Sequence, residues 1–181
     1  MTSSVTDEQI MNKVSRGNLE EAGILYERYR KVIYNYLLRL TFNKEISLDL
    51  TQNVFIRMIR YRGSYKSGKP FRPWLLRIAR NEWNDFYNEE GQFLSNSHDL
   101  DAINQETLAA IGDDDKSYHV QQLQKAMSMI NPEYRQVLLL SKYMKLKNSE
   151  IAELYNSNEN AIKGKVFRAM QQLSKVFKKL V

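Results

Sequence analysis

The chain has 181 residues, 43% of them hydrophobic, with 27 lysines and arginines against 21 aspartates and glutamates and no cysteine. That length suits one ordinary domain or two small ones, and the apolar content supports a packed core and excludes wholesale disorder. The lack of cysteine excludes disulfides and thiolate metal sites, and the amino end MTSSVTDEQI has no basic-then-apolar targeting pattern, so a soluble cytoplasmic protein is expected.

Few prolines and glycines, and no alternating β-branched run, predict an all-α fold. Two helical domains, residues 1–90 and 119–181, are expected, joined by a flexible linker at 91–118. Charge divides the same way: net +4 over 1–90, −5 over 91–118 and +7 over 119–181. Two basic blocks joined by an acidic strip point to a polyanionic partner, although solvated lysine faces are common.

In chain order, LEEAGILYERYRKVIYNYLLRLT places Leu25, Tyr29, Val32, Ile33, Tyr36, Leu37 and Leu40 on one helical stripe. After the connection FNKEIS, LDLTQNVFIRMIRYR carries Leu50, Val54, Ile56, Met58 and Ile59 in helical register. GSYKSGKP reads as a basic loop, and Pro73 suits the first turn of a helix running to about Asn88. On that helix Leu75, Ile78, Ala79 and Phe86 point inward, and Arg77, Arg80, Asn81, Asn84, Tyr87 and Asn88 point outward. Trp74 and Trp83 lie on the flanks, where core packing and base stacking are both open.

From Leu50 to Asn81 there is no acid, yet eight bases stand there: Arg57, Arg60, Arg62, Lys66, Lys69, Arg72, Arg77 and Arg80. Strands held out of a duplex need phosphate neutralisation and flat groups to stack on. The loop offers both, with Tyr65 and Phe71 as rings beside Lys66, Lys69 and Arg72. This module is expected to handle single-stranded or locally melted nucleic acid.

Residues 91–118 lose helical periodicity and read as a tether, with a short helix around AINQETLAAI. Helix returns at VQQLQKAMSMI, stops at NPEY and resumes with EYRQVLLLSKYM. NSEIAELYNSNENAIKGKVFRAMQQL then has the form of a helix-turn-helix. Asn156 suits a left-handed turn position and Asn158 an N-cap. Ile162, Val166, Ala169 and Leu173 form the inner face of the second helix. Asn160, Gly164, Phe167, Arg168 and Gln171 oppose them, flanked by Lys163 and Lys165. Such a helix fits the major groove, and Gly164 would let backbone and DNA come close. A protein-binding helical hairpin with a solvated basic face is the bland alternative.

These stretches resemble the extracytoplasmic-function (ECF) sigma factors of bacterial RNA polymerase. DLTQNVFIRMIR is similar to the family's "DLvQevFlrlw" helix, and FRPWLLRIARNEWNDFY to its "F..WLyrIArN...D..R" segment. MINPEYRQVLLL and SEIAELYNSNENAIKGKVFRAM resemble "LP.e.R.v..L" and "EIAe.lgis.gTVksrl.RAr". The resemblance implies a non-catalytic initiation subunit that binds core polymerase, recognises −10 and −35 promoter elements and promotes melting. Asp49, Gln52, Asn53 and Phe55 then fall on the polymerase-binding helix. Trp74, Arg77, Arg80, Asn81 and Asp85 match the −10 segment, which Tyr65, Lys66, Lys69, Phe71, Arg72, Asn84 and Tyr87 would extend. Lys163, Lys165 and Arg168 match the −35 helix, joined by Asn158, Asn160, Ala161, Gly164 and Phe167. Implied partners are the polymerase core (β′ clamp helices and β flap), promoter DNA and an anti-sigma factor, with no cofactor, metal or membrane insertion.

The chain departs from the family at Asn53, where glutamate is usual. It departs again at Asn156, Ser157, Asn160 and Gly164 in the carboxyl module, so no relative's −35 preference is carried over. The rival readings are a two-module helix-turn-helix regulator that never touches polymerase, and a nuclease. The nuclease would need Glu89, Glu90, Asp113 to Asp115, His98 or His119, whose spacing gives poor metal-ligand geometry.

Overall fold

A computed structural model describes residues 5–91 and 118–181, and every regular element among them is helical. They form two compact units. One draws its described residues from Met1–Leu37 and Glu45–Ser97, the other from Leu38–Lys44 and His98–Val181. The short helix expected around AINQETLAAI, together with His98 and Asp113 to Asp115, lies outside the described residues.

The chain enters α1 (Asp7–Ser15) through a capping box. The Thr6 hydroxyl accepts from the Gln9 N–H at 3.2 Å, and the Gln9 side chain accepts from the Thr6 N–H at 3.0 Å. Helical periodicity, read from Leu19 onward, misses this element. Ile10, Met11 and Val14 bury its inner side. Asp7 ties it to α2 (Ala22–Thr41), accepting from Arg28 at 2.6 Å and from the Tyr29 hydroxyl at 2.5 Å.

The connection FNKEIS is shorter than expected, because α3 (Lys44–Arg60) begins within it. Phe42 takes a left-handed φ of 52° that ends α2, and the Thr41 hydroxyl accepts from the Asn43 N–H at 3.2 Å. Leu50, Val54 and Met58 then line the buried side of α3. Ile56, expected in that stripe, is 54% exposed. Two residues beyond Val54 it is turned about 200° around the helix, away from the core.

After a 3₁₀ turn at Arg62–Ser64, α4 (Phe71–Phe86) buries Leu75, Leu76, Ile78, Ala79 and Trp83, and continues as a π-turn over Tyr87–Gly91. Trp83 is therefore core, stacked on Tyr87 at 5.1 Å between centroids. Arg57 of α3 joins the two helices: its Nε lies 2.6 Å from Glu82 Oε2 and its Nη1 2.7 Å from Asp85 Oδ2. Glu82 is buried, and a buried carboxylate persists only when paired.

In the second unit, α5 (Tyr118–Met129) is followed by α6 (Pro132–Leu138), which runs into a π-turn at Leu139–Tyr143. The Asn131 side chain caps α6, accepting from the Glu133 N–H at 2.8 Å, with Pro132 in the first turn. The buried Arg135 donates to the Met127 and Ser128 carbonyls at 2.8 and 2.6 Å, satisfying acceptors that the end of α5 leaves open. Helices α7 (Asn148–Leu154) and α8 (Glu159–Leu180) complete the unit, and the Tyr155 hydroxyl, just beyond α7, donates to Gln136 at 2.7 Å.

Arg57→Met leaves Glu82 buried without its cation and is expected to cost about 3 kcal/mol. Arg57→Met with Glu82→Gln should recover part of this, as read by thermal unfolding of the full chain. Tyr29 gives a pH signature. Burial first, and then its hydrogen bond to Asp7, push its phenol well above the ordinary range. The stability this carries is complete below the unfolded pKa of about 10 and is lost as pH rises toward the higher folded value. Denaturant titrations above that pH should show a steeper loss for the native chain than for Tyr29→Phe.

Candidate nucleic-acid and docking interfaces

Helix α4 starts at Phe71 behind Pro70, whose side chain makes no capping hydrogen bond. The Phe71 N–H instead donates to Glu8 Oε1 of α1, at 3.1 Å. Phe71 is 0% exposed, with its ring edge-on to Tyr29 at 5.2 Å. Tyr65 is also buried, edge-on to Trp74 at 5.3 Å, and its hydroxyl donates to the Lys69 carbonyl. The expectation that Tyr65 and Phe71 are loop rings open to a base is therefore corrected: both are spent on the core, underneath the loop.

Around them Lys66 and Lys69 are exposed, and Arg72 and Trp74 are half-buried. Gly68, with φ 81°, supplies the one left-handed position of the connection from 61 to 70. Tyr61, at the end of α3, is an exposed ring absent from the predicted set. Its position three residues past the buried Met58 gives no hint of this. Along α4, Arg77 and Asn81 are exposed and Arg80, Asn84 and Tyr87 half-buried, which places the expected polar residues on the outer side of the helix. Asp85 is exposed but held by Arg57.

On α3, Asp49, Gln52 and Asn53 are exposed. Phe55 is not part of that surface: it is 6% exposed, with its ring edge-on to Tyr26 at 4.9 Å. Two aliphatic residues take its place. Leu48 is 52% and Ile56 54% exposed, and with Gln52 they stand at i, i+4 and i+8 on one stripe. Exposed aliphatics in a row beside an acid and two amides make a surface suited to another protein.

The turn between α7 and α8 follows the expected chemistry. Asn156 has φ 48°, and the Asn158 side chain accepts from the Ala161 N–H at 2.8 Å. Ile162, Ala169 and Leu173 are buried, and Val166 is half-buried. On the other side Asn160, Ala161, Lys163, Arg168 and Gln171 are exposed, and Phe167 is 63% exposed. Lys163 pairs along the helix with Glu159 at 3.4 Å. Lys165 differs: it is 3.0 Å from Glu133 and 5.0 Å from the Tyr155 ring centroid, a fastener of α8 to its own unit. At Gly164 an added Cβ would meet only the Arg168 guanidinium, at 3.5 Å, so nothing among the described residues requires glycine there.

Among the described residues no His, Cys, Asp and Glu side chains gather into a group that could hold a metal ion, and no helix is long and apolar enough to cross a membrane.

Two family models match the chain: Sigma-70 region 2 over residues 25–93, and Sigma-70, region 4 over residues 120–173. The chain is 29% identical over 154 residues to the ECF RNA polymerase sigma factor SigM of Bacillus subtilis, covering 84% of this chain and 93% of that protein. It is 23% identical over 194 residues to the RNA polymerase sigma-H factor of Pseudomonas aeruginosa, covering 100% of this chain and 98% of that one. In fold it is similar to CnrH, solved in complex with the cytosolic domain of CnrY, with a TM-score of 0.71, 19% identity and coverage of 96% and 97%. It is also similar to the sigma factor RpoE of Bartonella quintana, solved with the anti-sigma factor NepR, with a TM-score of 0.69, 20% identity and coverage of 86% and 96%. With both halves matched in order, and with relatives that cover nearly all of it, the chain belongs to the sigma-70 family and is a sigma factor of the ECF type.

Proposed function

We propose that this sigma factor divides its work among three surfaces and has no catalytic chemistry of its own. Residues 1–90 carry two of them. The α3 stripe of Leu48, Gln52 and Ile56, with Asp49 and Asn53, docks on the β′ clamp helices of core polymerase. Lys66, Lys69 and Arg72, with the outer face of α4, hold the opened −10 strand. Residues 91–118 act as the linker. Residues 119–181 read the −35 duplex through α8, with Asn160, Lys163, Phe167 and Arg168 toward the major groove, and meet the β flap.

The observation that carries this reading is α8 itself. Its inner side is buried, while the side opposite keeps amide, cation and ring exposed from a helix start capped by Asn158. Opening DNA costs a few kcal/mol per unstacked step, and phosphate contacts at the cationic rim offset it. Tyr61, Trp74 and the half-buried Tyr87 are rings that can meet an unpaired base, since Tyr65 and Phe71 are core. The chain is also proposed to be held in reserve by an anti-sigma protein, as the similar RpoE fold is in its solved complex.

Run-off transcription with purified core polymerase tests the reading: promoter-specific transcripts should appear only when the chain is added. Leu48→Ala with Ile56→Ala should weaken capture of polymerase about ten-fold, a loss typical of one well-placed hydrophobic contact. A regulator that acts on duplex DNA alone would be indifferent to that change. Gly164→Ala separates groove contact from folding. It should raise thermal stability by up to about 1 kcal/mol, because the helix gains an alanine without a clash. Transcription from a −35-dependent promoter should nevertheless fall. A variant that is both more stable and fully active would remove Gly164 from the DNA surface.

A further inference from the structure

An α-helix opens with about four N–H groups that lack intrahelical partners. At the start of α4, Pro70 and Pro73 carry no N–H, which leaves those of Phe71 and Arg72. Phe71 donates to Glu8, whose carboxylate comes from a residue 63 positions earlier in the chain. A negative charge against a helix amino end is also favourable to the helix dipole. Glu8 is in turn held in place. It follows Asp7, which binds Arg28 and Tyr29 of α2, and it sits inside the Thr6–Gln9 capping box. Helix α1 lies outside the stretch matched by the region 2 model.

The first turn of α4 bears Arg72 and Trp74, and Lys69 precedes it by one residue, Pro70. We infer that Glu8 is a positioning residue for DNA opening: by capping α4 from α1 it fixes the first turn on which Lys69, Arg72 and Trp74 face the unpaired strand. Its carboxylate also occupies the amino end of α4, leaving phosphates to the lysine and arginine rim. The inference rests on the proposed −10 role of this unit.

The test uses the full chain with core polymerase on a promoter carrying a fluorescent base analogue in its −10 element. Glu8→Ala should reduce open-complex formation about five-fold or more, the scale of a lost cap. Glu8→Gln, which keeps an acceptor oxygen at the same reach, should restore most of it. Polymerase capture and −35 duplex binding should not move with either variant. If Glu8→Ala does not purify folded, Glu8→Asp takes its place, since it keeps the charge but falls one methylene short, and a several-fold loss is again expected. Opening equal to the native chain overturns the inference, and so does a parallel loss of polymerase capture, which would mark Glu8 as a general fold residue. A native holoenzyme that never opens the promoter overturns the proposed function and this inference with it.

Discussion

The contact of Arg57 with Glu82 and Asp85 is the interaction on which the amino-terminal unit turns. Helices α3 and α4 both keep an outer side exposed, the surfaces proposed for polymerase and for the opened strand. Neither outer face contributes to holding the two helices together. What remains is the core, in which α3 buries Leu50, Val54 and Met58 and α4 buries Leu75, Ile78, Ala79 and Trp83, with a buried carboxylate, Glu82, that Arg57 neutralises. Because a buried acid without a cation is far more costly than a mispacked methyl, this pair holds the two helices in register more strictly than the apolar contacts could. A displacement of α3 would therefore reach α4 through a charged link that has little freedom to slip.

The same contact shows why counting bases overstates a nucleic-acid surface. Of the eight bases between Leu50 and Asn81, Arg57 serves the fold. In the carboxyl unit Arg135 satisfies helix-end carbonyls and Lys165 fastens α8 to Glu133. These residues contribute to net charge, and so to long-range attraction of a polyanion, while their side chains are engaged within the fold.

Much of this was legible in the sequence, and the parts that were not have a common cause. Features set by neighbours a few residues away came through: the apolar stripes of α2, α4 and α8, the left-handed Asn156, and the Asn158 cap. The cap of α1 was equally local, a T-x-x-Q spacing, and could have been found by the same rule. The errors arose where distant chain decides. Tyr65 and Phe71 stand beside lysines and glycines, the company a base-stacking ring keeps, yet Tyr29 and Glu8 draw Phe71 inward from more than forty residues away. Phe55 and Ile56 are adjacent, and the buried one matched the family motif while the exposed one had been assigned to the core. Helical spacing alone separates those two faces only once the partner of the helix is known.

Promoter choice lies with residues that the family likeness does not determine. The relatives share under a third of their residues with this chain. Four of the five departures from the family pattern fall in the carboxyl unit, and two of them, Asn160 and Gly164, stand in the first turns of α8. An amide at the second helical position, such as Asn160, can read an adenine edge in a way that a glycine cannot. The fold therefore supplies the placing of the helix, held by Lys165, Tyr155 and Gln136, and leaves the exposed positions open to change without cost to the core. If α8 reads the −35 duplex as proposed, the sequence this chain recognises is set by its exposed positions, since the residues behind it would be needed whatever the sequence recognised.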